Sequence, residues 1–410
     1  MTSQDREIGA GTRSGFPLDG VRVVDLTRVM TGPYGTMMLG DMGADVIKVE
    51  MPGKGDDTRA WGPPFQEGES TYFLSVNRNK RSIALDLKSE GGREVLWKMI
   101  EQADVIVENF SPGTVDRLGF GYEDVKACNP GIIYASISGF GQTGPSANRT
   151  AYDLIVQGMS GMMSITGDPE GMPTKLGVPI ADITAGMFAA YSVVAALFDR
   201  ERSGEGRYID VSMLGGQVAL LTYQAGIYFA TGQTPVPLGN AHPIVAPYDT
   251  FQTADGYVNI AVGNDSLWQR FCNAFELKEV GCDERFHSNA GRITNKPALY
   301  EAINQAVGHQ ATADVVARLD ACGVPCGPIY TVQQMFEDPQ ADAVGLRRTA
   351  PHDSLGSLTL TGFPYHLSGE DLEIRHGPPT LGQHTRAILG ELGYTAPEIE
   401  ALFAAGATAD

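Results

Sequence analysis

Asp182 stands alone in an otherwise apolar stretch, Leu176-Gly-Val-Pro-Ile-Ala-Asp-Ile-Thr-Ala-Gly-Met-Phe-Ala-Ala190, just ahead of a helical run that continues to Phe198. A carboxylate in that setting either caps the helix or does chemistry. As an N-cap its oxygen accepts an orphan backbone N–H, worth about 1 kcal/mol, and the helix dipole favours its charge. As a reactive group, a desolvated carboxylate is a candidate nucleophile or acid/base. Other signatures are weaker. Gly139-Phe-Gly-Gln-Thr-Gly144 has the spacing of a dinucleotide-binding loop, but Pro145-Ser-Ala-Asn-Arg-Thr follows where a helix should receive the pyrophosphate. Gly158-Met-Ser-Gly161 lacks the spacing of a nucleophile elbow. The seven histidines are scattered without a metal-ligand pair, so no metal is expected. Cys322-Gly-Val-Pro-Cys326 is spaced wrongly for a redox pair, and five cysteines in mostly apolar contexts suit reduced thiols in the cytoplasm.

The elements that must position Asp182 read as α/β. Val21–Leu26, Ala44–Glu50, Ser82–Leu87, Ala103–Glu108 and Gly131–Ile137 are short, β-branched strand candidates. Helix-like stretches at Pro33–Met42 and Ser89–Gln102 alternate with them, the pattern of parallel βαβ units. Further helices are expected over Asp153–Met163 and Thr184–Arg200. After a Gly/Pro-rich passage from Thr231 to Pro247, a hairpin is expected at Tyr248–Val262 with its turn at Asp255-Gly256, then helices around Leu267–Phe275 and Lys296–Leu319. The tail returns to short strands at Leu358–Thr361 and a last helix. With 410 residues, about two domains are expected. The polar N-terminal lead-in reads as no signal peptide, and no run approaches the roughly 18 apolar residues of a membrane span. A net charge of −19 argues against nucleic acid as partner. Any phosphate-bearing ligand then needs a local basic patch working against that field.

Four loops taken together are more specific than any single motif. Leu18-Asp-Gly-Val-Arg-Val-Val-Asp-Leu-Thr-Arg-Val-Met-Thr-Gly-Pro-Tyr34, Gly43-Ala-Asp-Val-Ile-Lys-Val-Glu50, Asn79-Lys-Arg-Ser-Ile-Ala-Leu-Asp-Leu-Lys88 and Val107-Glu-Asn-Phe-Ser-Pro-Gly-Thr-Val-Asp-Arg-Leu-Gly119 closely resemble the class III coenzyme A transferases, the formyl-CoA and carnitine CoA-transferase type. The resemblance runs on through Ser138–Pro145, the Asp182 segment, Ser203–Met213 and the tail motif Leu381-Gly-Gln-His-Thr385.

That resemblance implies a Rossmann-like large domain built from both chain ends, a smaller α+β domain, and two subunits interlocked as a homodimer. The implied division is a flexible lead-in at 1–17, the large CoA-binding domain at 18–225 and 336–410, and the small domain with its linkers at 226–335. It implies Asp182 as a nucleophile that carries CoA as an aspartyl thioester between mixed anhydrides, with acyl-CoA and a free acid as substrates and no permanently bound cofactor. Val29, Met30, Thr31, Leu85, Lys88, Asn109, Ser111 and Arg117 match its CoA-contacting positions. Met30 stands where Gln is common. An arginine of one branch is Met51 here and a lysine falls at Thr150, with Arg149 beside it to supply the charge. Beside these carried-over contacts, Lys80, Arg81, Lys88, Arg117 and Arg149 together are expected to form the local basic patch that the phosphates need. Gly239, Asn240 and His242 match the active-site loop, and Tyr152 and Tyr248 are candidates for the acyl pocket. The α-methylacyl-CoA racemases share the scaffold, but Tyr152 occupies their histidine position, and an ordinary Tyr is a poor base near neutrality. A non-enzymatic acyl-CoA-binding protein is the remote alternative. Arg149, His242 and Tyr248 favour a dicarboxylic acid such as succinate or malate as acceptor.

Overall fold

β-branched runs at Arg22–Asp25 (β1), Asp45–Glu50 (β2), Lys80–Leu85 (β3), Val105–Glu108 (β4), Ile133–Ser138 (β5) and Arg207–Ser212 (β6) pair in parallel in the computed structural model. The structure describes residues 15–368 and 372–410, and the lead-in up to residue 14 lies outside that range. Thr408–Ala409 (β7) adds antiparallel to β3, giving the order β7-β3-β2-β1-β4-β5-β6. This is the mixed, mostly parallel α/β sheet that the sequence implies. Successive residues of a strand face opposite sides, and β1 shows the consequence. Val23 packs with Val46, Val105 and Ile133 in one apolar layer, and Val24 packs with Ile47, Ile83 and Ile106 in the other.

Helices cover both faces. Thr31–Asp41 (α1) and Ile180–Ser203 (α4) bury Leu39, Ala181, Ala185, Ala189 and Val193 in the first layer. Glu90–Glu101 (α2) is capped by the Ser89 hydroxyl, which accepts the Gly92 N–H, and sends Val95, Leu96, Met99 and Ile100 into the second. Asp153–Met159 (α3) and Met213–Leu220 (α5) flank α4. The expectation that no segment is long and apolar enough for a membrane needs correction. α4 has 24 residues and passes that test, although half of its most apolar window is buried inside the fold. Its alanines and Gly186 serve close packing on the sheet and on α1.

The chain divides into two compact units, the described residues of Met1–Ser160, Gly177–Thr222 and Val344–Asp410 forming one, and Gly161–Leu176 with Tyr223–Ala343 the other. The second unit holds the hairpin Tyr248–Gln252 and Tyr257–Ala261, with Cys326–Pro328 as a third antiparallel strand. The Thr253 N–H bonds the Gly256 carbonyl across the expected turn. Trp268, Phe271, Leu299, Ile303, Val315 and Leu319 form its core. The expected helical region from Lys296 is two helices, Lys296–Val307 and Thr312–Ala321, separated at Gly308.

The tail motif closes the edge of the large sheet. His384 Nδ1 accepts the Ser82 N–H at 3.1 Å, Thr385 Oγ1 accepts the Ala84 N–H at 3.2 Å, and the Ala407 carbonyl accepts the Asp86 N–H at 3.0 Å. The Ser82 and Ala84 donors of β3 are thus satisfied by residues more than 300 positions away in sequence.

Candidate active site

The strand order reverses between β1 and β4, and in open α/β sheets ligands occupy the crevice beyond the carboxyl ends of the strands at such a point. Here those ends lead into Leu26–Met30 and Asn109–Ser111. Asn109 ties the two loops together, accepting the Arg28 N–H at 2.9 Å and donating to the Arg28 carbonyl at 2.8 Å. Val29 has φ of +71°. A β-branched residue in that left-handed region costs on the order of 1–3 kcal/mol and persists only where its surroundings enforce it.

The enforcing surroundings are buried charges. Asp25 accepts from the Thr27 N–H and hydroxyl and from the Thr36 hydroxyl, and it pairs with Lys80 at 3.1 Å. Lys48 donates to the Thr27 carbonyl at 2.8 Å and pairs with Asp56 at 2.9 Å. Asp56 in turn accepts the Val29 N–H. Burial alone would raise the Asp25 carboxyl, but Lys80, Lys48 and the two threonines more than offset it and hold it at about 2. Burial prevails at Lys80, which is pushed down to about 8 despite Asp25. The expectation that Lys80 and Arg81 belong to a phosphate-binding patch is therefore overturned. Lys80 is wholly enclosed, and Arg81 is engaged by Asp45 and Glu391.

α1 and α4 cross at glycines. A Cβ on Gly35 would stand 2.7 Å from the Gly186 carbonyl oxygen, and one on Gly186 would meet the Thr31 carbonyl oxygen. Thr31 precedes Gly35 by four residues and Asp182 precedes Gly186 by four, so each lies one turn away on the same helix face. The close crossing brings the Thr31 hydroxyl onto the Asp182 carboxylate, to which it donates. Asp182 is the third residue of α4 and makes no side-chain cap. That correction has a simple cause. Asp153 accepts the Ala181 N–H at 2.9 Å and so supplies the capping bond from another segment, held in turn by Gln157. Asp182 is left facing the cleft. Burial pushes its carboxyl up to about 6, the Thr31 bond opposes this, and Asp153 adds to it. Gly35→Ala is expected to separate the helices, costing about 1–3 kcal/mol by overpacking. Urea unfolding at the wild-type midpoint, with unchanged Asp182 reactivity, would show that the crossing is not tight.

Val29, Thr31, Asn109, Ser111, Arg149, Thr150, Tyr152 and Asp182 line one cleft of about 240 Å³. Leu85 and Lys88 line a second of about 140 Å³, together with Met51, Phe110 and the cations Arg28 and Lys54. The sequence reading missed Arg28 and Lys54. The local signal for Lys54 was its place between two glycines just beyond a strand end. Met30 is buried at the N-terminus of α1, and Arg117 is exposed with its guanidinium on the Thr114 hydroxyl. Gly139 lies against Ala151, where a Cβ would collide, and no helix follows Gly144 to receive a pyrophosphate, so the run at 139–144 is not a dinucleotide-binding turn.

A model of CoA-transferase family III matches residues 18–385. The chain belongs to CoA-transferase family III. Among curated relatives of this transferase, the succinate–glutarate CoA-transferase of Agrobacterium fabrum is 43% identical over 92% of the chain and 96% of that protein. The acetyl-CoA:oxalate CoA-transferase of Acetobacter aceti is 44% identical over 93% and 97%, and the succinyl-CoA:glutarate CoA-transferase of Mus musculus 42% identical over 95% and 90%. A solved CAIB/BAIF family protein from Brucella suis superposes with a TM-score of 0.83 at 42% identity, covering 92% of the transferase and 100% of that chain. The expected enzyme class is thereby established: the protein moves CoA between carboxylic acids.

In the transferase's second unit, His242 sits between Tyr223 and Tyr248, with ring centroids 5.5 and 5.3 Å away. Asn240 donates to the Thr250 hydroxyl at 2.8 Å, and Gly239 takes a left-handed φ of +63°. Asn240 and Tyr248 line a cleft of about 570 Å³ within that unit. All five cysteines are free thiols.

Proposed function

We propose that the enzyme transfers CoA from an acyl-CoA to a dicarboxylic acid through covalent attachment at Asp182. The carrying observation is the Asp182 carboxylate, uncapped and desolvated, in a cleft at the switch point of the sheet. Its oxygen attacks the donor thioester carbonyl, forming an acyl–aspartyl anhydride and releasing CoA thiolate. The thiolate attacks the aspartyl carbonyl, giving aspartyl-CoA thioester and the free donor acid. The acceptor carboxylate attacks that thioester, giving a second anhydride and thiolate. The thiolate then takes the acceptor's acyl group and restores Asp182. The covalent intermediates split one exchange into easier steps while the acyl activation is carried through anhydride and thioester and not lost to water.

CoA occupies the two clefts of the first unit. The apolar walls Leu85, Leu87 and Phe110 receive the adenine, while Lys54, Lys88 and Arg28 meet the phosphates. Val29, Met30 and Thr31, with Asn109, Ser111 and Arg117, guide the rest of CoA past the β1 and β4 ends. The relatives act, by name, on succinate, glutarate and oxalate, and Arg149 in the Asp182 cleft supplies a partner for a second carboxylate. Tyr152 lines the Asp182 cleft and forms a wall of the acyl pocket. A homodimer accounts for the row of exposed apolar side chains along α4, namely Met187, Phe188, Tyr191, Val194 and Phe198; a patch of that kind on one face marks an interaction surface. Free thiols suit the cytoplasm.

The test is incubation with succinyl-CoA followed by hydroxylamine trapping and peptide mapping. A hydroxamate at Asp182, with CoA appearing on glutarate or oxalate, is the expected result. Solvent deuterium entering the α-carbon of an acyl-CoA without exchange would replace this reading with a racemase. Because only the ionised carboxylate attacks, kcat/KM is expected to rise tenfold per pH unit below about 6 and level off above it. Thr31→Val removes the bond that lowers the Asp182 pKa, so its inflection moves to higher pH. An inflection near 4 in both proteins would assign the titration elsewhere.

A further inference from the structure

Val29 departs from φ values that β-branched residues accept, and it does so two residues before the hydroxyl that touches Asp182. Its N–H has an acceptor in the Asp56 carboxylate, at 3.2 Å from each oxygen. Asp56 is itself fixed from three sides. Lys48 pairs with it at 2.9 Å, the Thr58 N–H and hydroxyl donate at 3.0 and 2.8 Å, and its own N–H bonds Glu50 at 2.9 Å. Glu50 is held by Arg59 and by the Ser82 hydroxyl. Asp56 and Lys48 are buried and line the CoA-side cleft, and neither is among the residues lining the cleft around Asp182.

We propose that Asp56 is a positioning residue for the acyl-transfer centre: by holding the Val29 N–H it keeps the Thr27–Met30 loop in its left-handed turn, which aims Thr31 at Asp182. The inference rests on the covalent reading of Asp182. Without the carboxylate, Val29 relaxes to negative φ and the start of α1 loses its registration against α4. A misplacement of about 1 Å near a reacting group lowers rates by about 100-fold. The inference has a specific signature, because glycine adopts the left-handed turn at no steric cost. A loop with Gly at position 29 no longer needs to be held.

The experiment compares the rate at which succinyl-CoA labels Asp182 in four proteins: wild type, Asp56→Asn, Val29→Gly and the double variant. Asp56→Asn is expected to label about 100-fold more slowly. Adding Val29→Gly to it is expected to restore about tenfold of that loss, whereas Val29→Gly alone brings no acceleration. A merely structural role for Asp56 would not be relieved by removing a side chain at position 29. Labelling of Asp56→Asn within threefold of wild type, or no recovery in the double variant, overturns the proposal and leaves the covalent reading standing. No labelling of Asp182 in wild type overturns both. Should Asp56→Asn not fold, Thr58→Val decides. It removes one donor from the carboxylate while leaving Lys48 paired, and it is expected to slow labelling severalfold with recovery by Val29→Gly. Wild-type labelling by Thr58→Val then counts against the proposal.

Discussion

Asp182→Asn is expected to abolish CoA transfer, by on the order of 10⁴-fold or more, and at the same time to make the protein more stable at neutral pH. The first effect follows from loss of the nucleophile, since an amide cannot form the anhydride. The second follows from linkage. Burial raises the carboxyl from 3.8 to about 6, so the folded state binds a proton that the unfolded state has lost between those values. Stability of the wild type therefore falls as pH rises from about 4 to about 6, and the penalty is complete above that. A shift of this size corresponds to about 1–3 kcal/mol after allowing for solvent at the cleft. Asn carries no such penalty and keeps an acceptor for Thr31. Chemical denaturation of both proteins from pH 4 to 8 checks this. The variant's advantage is expected to grow up to about pH 6 and then stay constant, and a variant less stable at pH 8 than at pH 4 relative to wild type would refute it.

Asp25→Ala is expected to be the most damaging single change to the fold. It removes the acceptor for the Thr27 N–H, the Thr27 hydroxyl and the Thr36 hydroxyl, and it leaves Lys80 enclosed without its counter-charge. Breaking a buried pair from one side costs about 3–5 kcal/mol. Lys80 is already pushed down to about 8 by burial with Asp25 present, and loss of that counter-charge lowers it further. Adding Lys80→Met is expected to recover part of the loss, because two buried charges are then gone instead of one. The acid limb carries the same signature. Asp25 is held at about 2, so its contribution is full above about 4 and disappears as pH falls toward 2. A urea midpoint for Asp25→Ala equivalent to a loss below about 1 kcal/mol would mean the array is not load-sharing in this way.

Local pattern carried the α/β class, most strand positions and the family, because β-branched runs and turn residues act over a few neighbours. It misjudged features decided across the chain. β3 was read at Ser82–Leu87 but forms at Lys80–Leu85, because a Lys-Arg pair looks like a solvated strand entry. Only the adjacency of β2 to β1 and β3 reveals that Lys80 points at Asp25. Asp182 was read as a cap candidate because nothing nearby announces that Asp153 takes the Ala181 N–H. The bond from Thr31 to Asp182 joins residues 151 apart. Its two glycines are visible in sequence, but their meeting depends on how α1 and α4 lie on the sheet. In sequence Asp56 is one acid among many in a loop, since its significance lies in the backbone it holds and not in its own type.

The tail motif has a consequence for synthesis of the chain. α1, α4 and every parallel strand are made before residue 213, whereas His384 and Thr385 arrive about 170 residues later and Ala407 and β7 almost 200. Throughout that interval the nascent protein presents the outer donors of β3 as an unfilled edge, the kind of surface that recruits a neighbouring strand. Translation thus leaves the sheet sticky on one side until its last strand emerges. The hazard falls on ribosomes spaced closely along one message, where two incomplete copies meet at the same open edge.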